Sequence, residues 1–573
     1  MNSDLFKKKA FFLILIVFIA FLILIVKLFD LQVLNNAQYS IEASAENSFL
    51  TSMPALRGII ESSTGSILAD NTPVYKVYVS LNNVVNKKSF ENEVYSVLGI
   101  KKSYMQSLFN SKLVWVKLSS DISISQKNKL SNLPSLTFVQ YESRYYPNKQ
   151  LFAHVLGFLG RDYKGQVSGF YGVEGYFNGA LVGKAGYTKG IQSASGIPLL
   201  SQNYQFVPAQ NGDTIKLTVN PAIQNIVSSS VNYWSKKENA TSGAAIVMNP
   251  KTGAILAMAS YPSFNPNTYW KYKYSNFQNN AISFIYEPGS VGKLITVSAA
   301  LQTGAMTPST TVNDKTGVFS VGGQNIYNWN KAPDGVMNLG RILLLSSNVG
   351  ASMVATQYLS SKLMYEFSKK YGFGNLTGIT LQGEETANIP PYKTWNKSNL
   401  ATDSFGQFVS VSPLQILDAY DAPANGGKIM QPYIVQSITN SKGSTVNFKP
   451  KVLYNPISPT VASEINTMLV GTTQGEPNWA LHKEGVGQYM PIIAGKTGSA
   501  QMPSKKHPGQ YSTTNYVMTY VAYAPANNPK FILLTMMNSP HKPLLNQYYA
   551  ATTACVEWGQ IASKLFPYFG IAP

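Results

Sequence analysis

At 573 residues the chain has room for about two to four domains and a large core, and 45% hydrophobic against 13% charged residues excludes a disordered chain. The net charge of +19 fits either an anionic partner such as a lipid surface or a Lys- and Asn-rich proteome; no dense basic block or Arg-rich helix points to nucleic acid. A single cysteine, Cys555, excludes an internal disulfide framework, and His154, His482, His507 and His541 show no H-E-x-x-H or C-x-x-C spacing, so neither a metal nor another cofactor is expected.

Lys7, Lys8 and Lys9 precede an apolar run from Ala10 to Val26, which Leu28 and Phe29 extend past Lys27. Roughly 20 apolar residues cross a bilayer core. The lysines favour the cytoplasmic side, which places the remaining chain outside the cell membrane as a single-pass protein. A cleaved signal peptide is the competing reading, but Ala43-Ser44-Ala45 lies far from the apolar run. The expected boundaries are a tail over 1–9, an anchor over 10–29, a pedestal over 30–205 and a catalytic domain over 206–573.

After the anchor, Leu28 to Val33 continues the helix. Arg57 to Asn71 reads as strand, turn, strand, with Gly65 at the turn. Tyr75–Leu81, Val114–Leu118 and Leu136–Gln140 read as strands, and the glycine-rich stretch from Gly157 to Gly186 as loop. Nothing between residues 30 and 205 pairs a nucleophile with a base, so this part reads as a scaffold.

The second half opens at Asn211, with a helix from Pro221. Gly243–Ala259 reads as two apolar strands joined at Asn249–Gly253. Strand character returns at Met490–Ala494, Tyr516–Tyr523 and Phe531–Met537, and Tyr548–Leu565 reads as a closing helix. Strands at both ends of a helical region imply an α+β domain: one antiparallel sheet with helices packed on it.

Within that region, Pro288 and Gly289 stop one segment and Ser290 opens a helix. Lys293, three positions on, shares its face, so an amine can take the serine proton. The helix dipole favours an alkoxide there. S-x-x-K alone is a cheap pattern. Ser346-Ser347-Asn348 adds a hydroxyl and a carboxamide, and Lys496-Thr497-Gly498 a cation and a hydroxyl, with a glycine that admits a substrate backbone. Lys-Thr-Gly also occurs at 251 and 315, and only the third follows an apolar strand. The bland alternatives are a helix-start serine, a loop or cap role for Ser346 and Asn348, and a solvated strand lysine. Met490 stands where a P-loop needs its first glycine, and no G-x-S-x-G appears.

The ordered set S-x-x-K, S-x-N, K-T-G is that of penicillin-binding proteins and class A β-lactamases. The chain resembles class B penicillin-binding proteins, monofunctional D,D-transpeptidases of wall synthesis, over nearly its whole length. Arg57-Gly58-x-Ile60-Glu61, Arg144-x-Tyr146-Pro147, His154-Val155-Leu156-Gly157 and Gly172-Val173-Glu174 resemble the pedestal (dimerisation-type) motifs. Pro262-x-Phe264-Asn265-Pro266-Asn267, Gly406-Gln407, Pro413-x-Gln415 and Ala424-Asn425-Gly426 resemble transpeptidase-domain motifs. The resemblance implies that domain's fold, a sheet with helices on both faces and a helical subdomain.

It also implies roles. Ser290 is acylated by a stem peptide ending in D-Ala-D-Ala, Lys293 is the base, Ser346 passes a proton to the departing D-alanine, and Asn348 orients Lys293 and the substrate amide. Lys496 and Thr497 hold the terminal carboxylate, Gly498 gives backbone access, and the N–H groups of Ser290 and Ser499 form an oxyanion hole. β-Lactams are implied as covalent inhibitors, and a membrane-embedded glycan polymerase of SEDS type, with other division or elongation proteins, as partners. Asn348 and the lack of a module after the catalytic domain resemble the septal branch more than the elongation branch. Departures are Ser499 for the usual Thr, Phe408 after Gly406-Gln407, and Ser62-Ser63 in the first motif. The rival functions are a D,D-carboxypeptidase or β-lactamase of the same fold, and a non-catalytic scaffold.

Overall fold

The computed structural model describes residues 3–39, 48–193, 197–199, 204–504, 507, 510–540 and 549–572. Ala43-Ser44-Ala45, His541 and Tyr548 lie outside them. The chain divides into two compact units, Met1–Leu56 with Val182–Gly212, and Arg57–Leu181 with Asp213–Pro573.

The first unit holds one long helix, Ser3–Phe29, which begins inside the expected tail and runs on as a π-helical turn, Asp30–Leu34. From Ala10 to Val26 the helix is apolar on every side, and none of its residues is buried, as expected of a segment whose solvent is lipid. It is long and apolar enough to cross a membrane. The same unit contains a small antiparallel sheet in which Ser48–Met53 and Gln205–Val207 flank Gly186–Gln192.

The second unit is built on two sheets. In one, Ile60–Glu61 pairs antiparallel with Ile67–Ser80 through a turn at Gly65 (φ +82°) and parallel with Thr214–Leu217, which pairs with Val435–Thr439. The strands Trp115–Ile122 and Leu136–Tyr145 lie on either side of Ile67–Ser80. The other sheet is five-stranded and antiparallel, in the order Ile255–Tyr261, Ser242–Met248, Phe531–Asn538, Tyr511–Ala524, Ala494–Pro503. Every residue of Ser242–Met248 and Phe531–Asn538 is buried, which is why these strands read as unbroken apolar runs rather than alternating ones. One face presents Ala245, Val247, Tyr520 and Leu533 to the helices Pro221–Lys237 and Ala554–Tyr568, whose Trp234 and Trp558 fill that layer. The opposite face presents Ile246, Val521 and Leu534 to a helical region that includes Lys293–Gln302 and Pro413–Ala424. The α+β architecture with helices on both faces is the one expected.

Two local expectations are corrected. The stretch from Gly157 to Gly186 is not loop. It forms a hairpin, Phe158–Arg161 with Val167–Phe170, followed by the short helices Gly172–Tyr176 and Asn178–Val182. A Cβ on Gly169 would lie 1.9 Å from the Glu174 carbonyl oxygen, so close packing rather than flexibility calls for glycine there. Met490 to Ile492 is not strand but part of the 3₁₀ turn Gly487–Ile492, and the strand starts at Ala494. The closing helix is Ala554–Tyr568, preceded by the 3₁₀ turn Ala550–Thr552.

The motifs singled out in the first half converge on one carboxylate. Glu174 is fully buried. Arg57 Nε donates to its Oε2 at 2.7 Å, Arg144 Nε to its Oε1 at 2.7 Å, and the Tyr146 hydroxyl to Oε1 at 3.2 Å. Arg57 also donates to Asn178 Oδ1 at 3.0 Å and Arg144 to the Gly58 carbonyl at 2.7 Å. Burying a carboxylate is tolerable when such donors replace its water, and removing the anion would strand two buried guanidinium groups. Glu174→Gln is therefore expected to cost about 3–5 kcal/mol of stability, measured by urea unfolding in detergent. A loss under about 1 kcal/mol, the range of an exposed pair, would contradict that role.

Candidate functional site

Ser290 sits in a 3₁₀ turn, Gly289–Gly292, and the α-helix proper starts at Lys293. In a 3₁₀ turn, side chains three apart eclipse one another, so the hydroxyl and the amine are brought closer than a regular helix would bring them. Lys293 Nζ donates to Ser290 Oγ at 2.6 Å and to Asn348 Oδ1 at 2.8 Å. Lys293 is fully buried, and its Nζ lies 5.8 Å from the centre of the Phe405 ring. Burial, and next the charge of Lys496, push its amine well below the ordinary lysine range; Glu476 and Asp334 act in the opposite direction. The neutral amine, the form that can accept a proton, is thereby favoured.

Ser346 ends the helix Leu339–Leu345 in the left-handed region, at φ +55°. A non-glycine residue held there carries backbone strain, of the kind that gathers at functional sites. Ser346 is thus the C-cap of that helix through its backbone, while the side-chain N-cap of the next helix, Asn348–Tyr358, is Ser347. Its Oγ accepts from the Gly350 N–H and donates to Asn328 Oδ1. This leaves Ser346 to meet Lys496 Nζ, at 3.0 Å, and Asn348 to meet Lys293, with its own amide donating to the Tyr327 carbonyl at 3.2 Å.

Lys496-Thr497-Gly498-Ser499 lies on Ala494–Pro503, the edge strand of the five-stranded sheet. Lys496 is buried, and burial lowers its amine from the usual value, with Glu476 opposing. Besides Ser346 it donates to the Thr497 carbonyl at 3.1 Å and to Thr497 Oγ1 at 3.2 Å. Ser499 Oγ accepts from the Ala550 N–H at 2.9 Å. A Cβ on Gly498 would come within 3.0 Å of the Pro288 carbonyl and of Val291. The bare backbone there is taken up by the chain's own Ser290 turn. On the other side of that turn Gly406, at φ +80°, would place a Cβ 2.1 Å from the Gly289 carbonyl. The Gly289 N–H donates to the Gly406 carbonyl at 2.9 Å. Phe408, the departure after Gly406-Gln407, packs edge-on against Trp395 at 5.0 Å.

These groups open into a cleft of about 1080 Å³ whose lining includes Ser290, Ser346, Asn348, Thr497 and Ser499. All three sequence motifs therefore meet at one place, while Lys-Thr-Gly at 251 and 315 occupies turns elsewhere. Among the described residues no cluster of potential metal ligands occurs.

Three acidic residues were not foreseen. Glu476 lines the cleft and accepts from Thr497 Oγ1 at 2.5 Å. Glu287 precedes the Pro288-Gly289-Ser290 turn. Burial raises its carboxyl to about 7, with a hydrogen bond from Tyr511 opposing. Asp403, buried near it, is raised to about 7 by burial and by the charge of Glu287. None belongs to a spacing pattern, and the only signal in the sequence is an acid close to a motif.

The penicillin-binding protein transpeptidase domain matches residues 243–556, and the penicillin-binding protein dimerisation domain matches residues 52–217. The chain belongs to the penicillin-binding proteins, and this pairing of domains is that of class B. The stage V sporulation protein D of Bacillus subtilis is 27% identical over 99% of this chain and 86% of its own length. The peptidoglycan D,D-transpeptidase FtsI of Buchnera aphidicola is 27% identical over 97% of this chain and 94% of its own length. The fold is shared with penicillin-binding protein 2X of Streptococcus thermophilus (TM-score 0.72, 24% identity, 91% of this chain, 81% of that one). It is also shared with penicillin-binding protein 3 of Mycobacterium tuberculosis, solved with aztreonam (TM-score 0.68, 24% identity, 91% of this chain, 98% of that one).

The raised carboxyls of Asp403 and Glu287 carry a stability consequence. Between the unfolded value near 4 and about 7, the folded chain holds more protons than the unfolded one. Their contribution is full below the unfolded pKa and falls as pH rises through that window. Asp403→Asn is expected to flatten this decline, seen in melting temperatures from pH 4.5 to 8. An unchanged slope would contradict the assignment.

Proposed function

We propose that the chain is a peptidoglycan D,D-transpeptidase that works through a Ser290 acyl-enzyme. The observation that carries this reading is the buried Lys293 amine held 2.6 Å from Ser290 Oγ and 2.8 Å from Asn348 Oδ1. Neutral Lys293 accepts the Ser290 proton as Oγ bonds to the carbonyl carbon of the penultimate D-alanine of a stem peptide. The N–H groups of Ser290 and Ser499 receive the developing oxyanion; one such donor is worth roughly 10²–10³ in rate. As the C–N bond breaks, the nitrogen takes a proton through Ser346 and D-alanine departs. Lys496 and Thr497 hold its carboxylate before release, and Gly498 keeps the strand close to the acylated turn. An amine of a second stem peptide then attacks the ester, its proton returns to Ser290, and a cross-link remains.

β-Lactams acylate the same serine, in keeping with the aztreonam complex of penicillin-binding protein 3. The apolar helix anchors the chain, with Lys7 to Lys9 on the cytoplasmic side and the catalytic domain outside. The proposed division is an anchor over 10–29, a pedestal over 30–205 and a transpeptidase domain over 206–573, supported by the two domain matches. Asn348 and the FtsI relative favour septal cross-linking over elongation. A SEDS-type glycan polymerase is the proposed partner.

Incubation with a fluorescent penicillin, followed by gel detection, is expected to label the wild type stably. Ser290→Ala should abolish the label, and Lys293→Arg should slow it by roughly 10²–10⁴. An unlabelled wild type would overturn the reading, and rapid loss of label would indicate a β-lactamase.

A further inference from the structure

Lys496, Thr497 and Glu476 form a hydrogen-bonded line whose direction is fixed. Lys496 Nζ has only protons to give, so Thr497 Oγ1 accepts from it, at 3.2 Å. The threonine proton is then free to point elsewhere, and it points to Glu476 Oε2 at 2.5 Å, the length of a strong charge-assisted bond. The donor proposed to hold the terminal carboxylate of the substrate is thus already engaged by a carboxylate of the chain itself.

The segment carrying Glu476 is held firmly. Thr472, the last residue of the helix Pro459–Thr472, donates its hydroxyl to the Gly495 carbonyl on the edge strand. Thr473 Oγ1 donates to the Val470 and Met490 carbonyls, at 2.8 and 3.3 Å. The Gly475 N–H donates to the Thr472 carbonyl at 3.0 Å, and a Cβ on Gly475 would come within 3.0 Å of the Leu344 carbonyl. The helix Asn478–Lys483 begins just beyond. Glu476 is only half-buried, and it faces the same cleft as Ser290 and Ser346, so its side chain can swing into solvent while its backbone stays in place.

We propose that Glu476 is an internal occupant of the substrate-carboxylate subsite, which a carboxylate-bearing ligand must displace in order to reach Thr497. The inference rests on the assignment of Lys496 and Thr497 to that subsite. Two carboxylates cannot share one hydroxyl proton, and like charges placed together repel. Displacement therefore filters ligands. Only those that bring enough further contacts, such as the remainder of a stem peptide, repay the loss of the Glu476–Thr497 bond. In the resting state the same bond supplies the buried Lys496–Thr497 line with an anion.

The test compares second-order acylation rate constants of the full-length protein in detergent with benzylpenicillin and with its methyl ester, for wild type, Glu476→Gln and Glu476→Ala. Both variants are expected to accelerate benzylpenicillin by about tenfold more than the ester, which lacks the competing charge. The ester also reports that each variant is folded. Equal acceleration of acid and ester would overturn the proposal, because it would trace the effect to the charge state of Lys293. Slower reaction with benzylpenicillin, or no change, would overturn it as well. Failure of the wild type to form any adduct at Ser290 would remove the catalytic reading together with this one, whereas adduct formation without the acid–ester difference removes only the role of Glu476.

Discussion

Two lysines buried side by side set the terms for the rest of this site. Lys293 and Lys496 both lie beneath the cleft floor with almost no exposure, and each amine is lowered chiefly by its loss of water. Two ammonium groups in one desolvated place repel each other, so one of them gives up its proton more readily. The arrangement assigns the parts. Lys293, held between the side-chain oxygens of Ser290 and Asn348, is suited to the neutral form. Lys496, with the Thr497 carbonyl and the Ser346 and Thr497 hydroxyls around it and Glu476 one hydroxyl away, is suited to stay charged.

Holding that pair requires three segments, distant in the chain, to meet at hydrogen-bond distance. Glycines permit the approach. Gly406 lets its loop touch the Ser290 turn, and Gly498 lets the edge strand touch it from the other side. The five-stranded sheet, buried on both faces, supplies a rigid edge. The Ser290 turn is tied by the backbone bond between Gly289 and Gly406. Further off, the Glu174 carboxylate fixes Arg57, Arg144 and Tyr146. The sheet containing Ile60–Glu61 and Ile67–Ser80 also takes in Thr214–Leu217 and Val435–Thr439. The pedestal motifs thus belong to the same compact unit as the catalytic residues.

Much of this was legible in the sequence because it is written in local patterns. Unbroken apolar runs marked the central strands, and the order of Ser290-x-x-Lys293, Ser346-x-Asn348 and Lys496-Thr497-Gly498 marked the cleft. What was hidden depends on tertiary contacts. Glycine at 169 signals close packing rather than loop, and only the neighbouring carbonyl reveals the difference. Met490 to Ile492 is as apolar as a strand, yet the chain turns there before the sheet edge begins. The left-handed backbone at Ser346 and the use of Ser347 as the cap follow from how two helices join. Glu476, Glu287 and Asp403 belong to no spacing, and their chemistry arises only from what surrounds them.

The central claim is that burial lowers the Lys293 amine and so favours its neutral, proton-accepting form. An NMR titration of protein carrying ¹³Cε-labelled lysine reads it directly, with the Lys293 signal assigned by its absence in Lys293→Arg. The expected result is a Lys293 signal that titrates well below the lysines at the surface. A midpoint at or above the free-lysine value of about 10.4 would contradict the account.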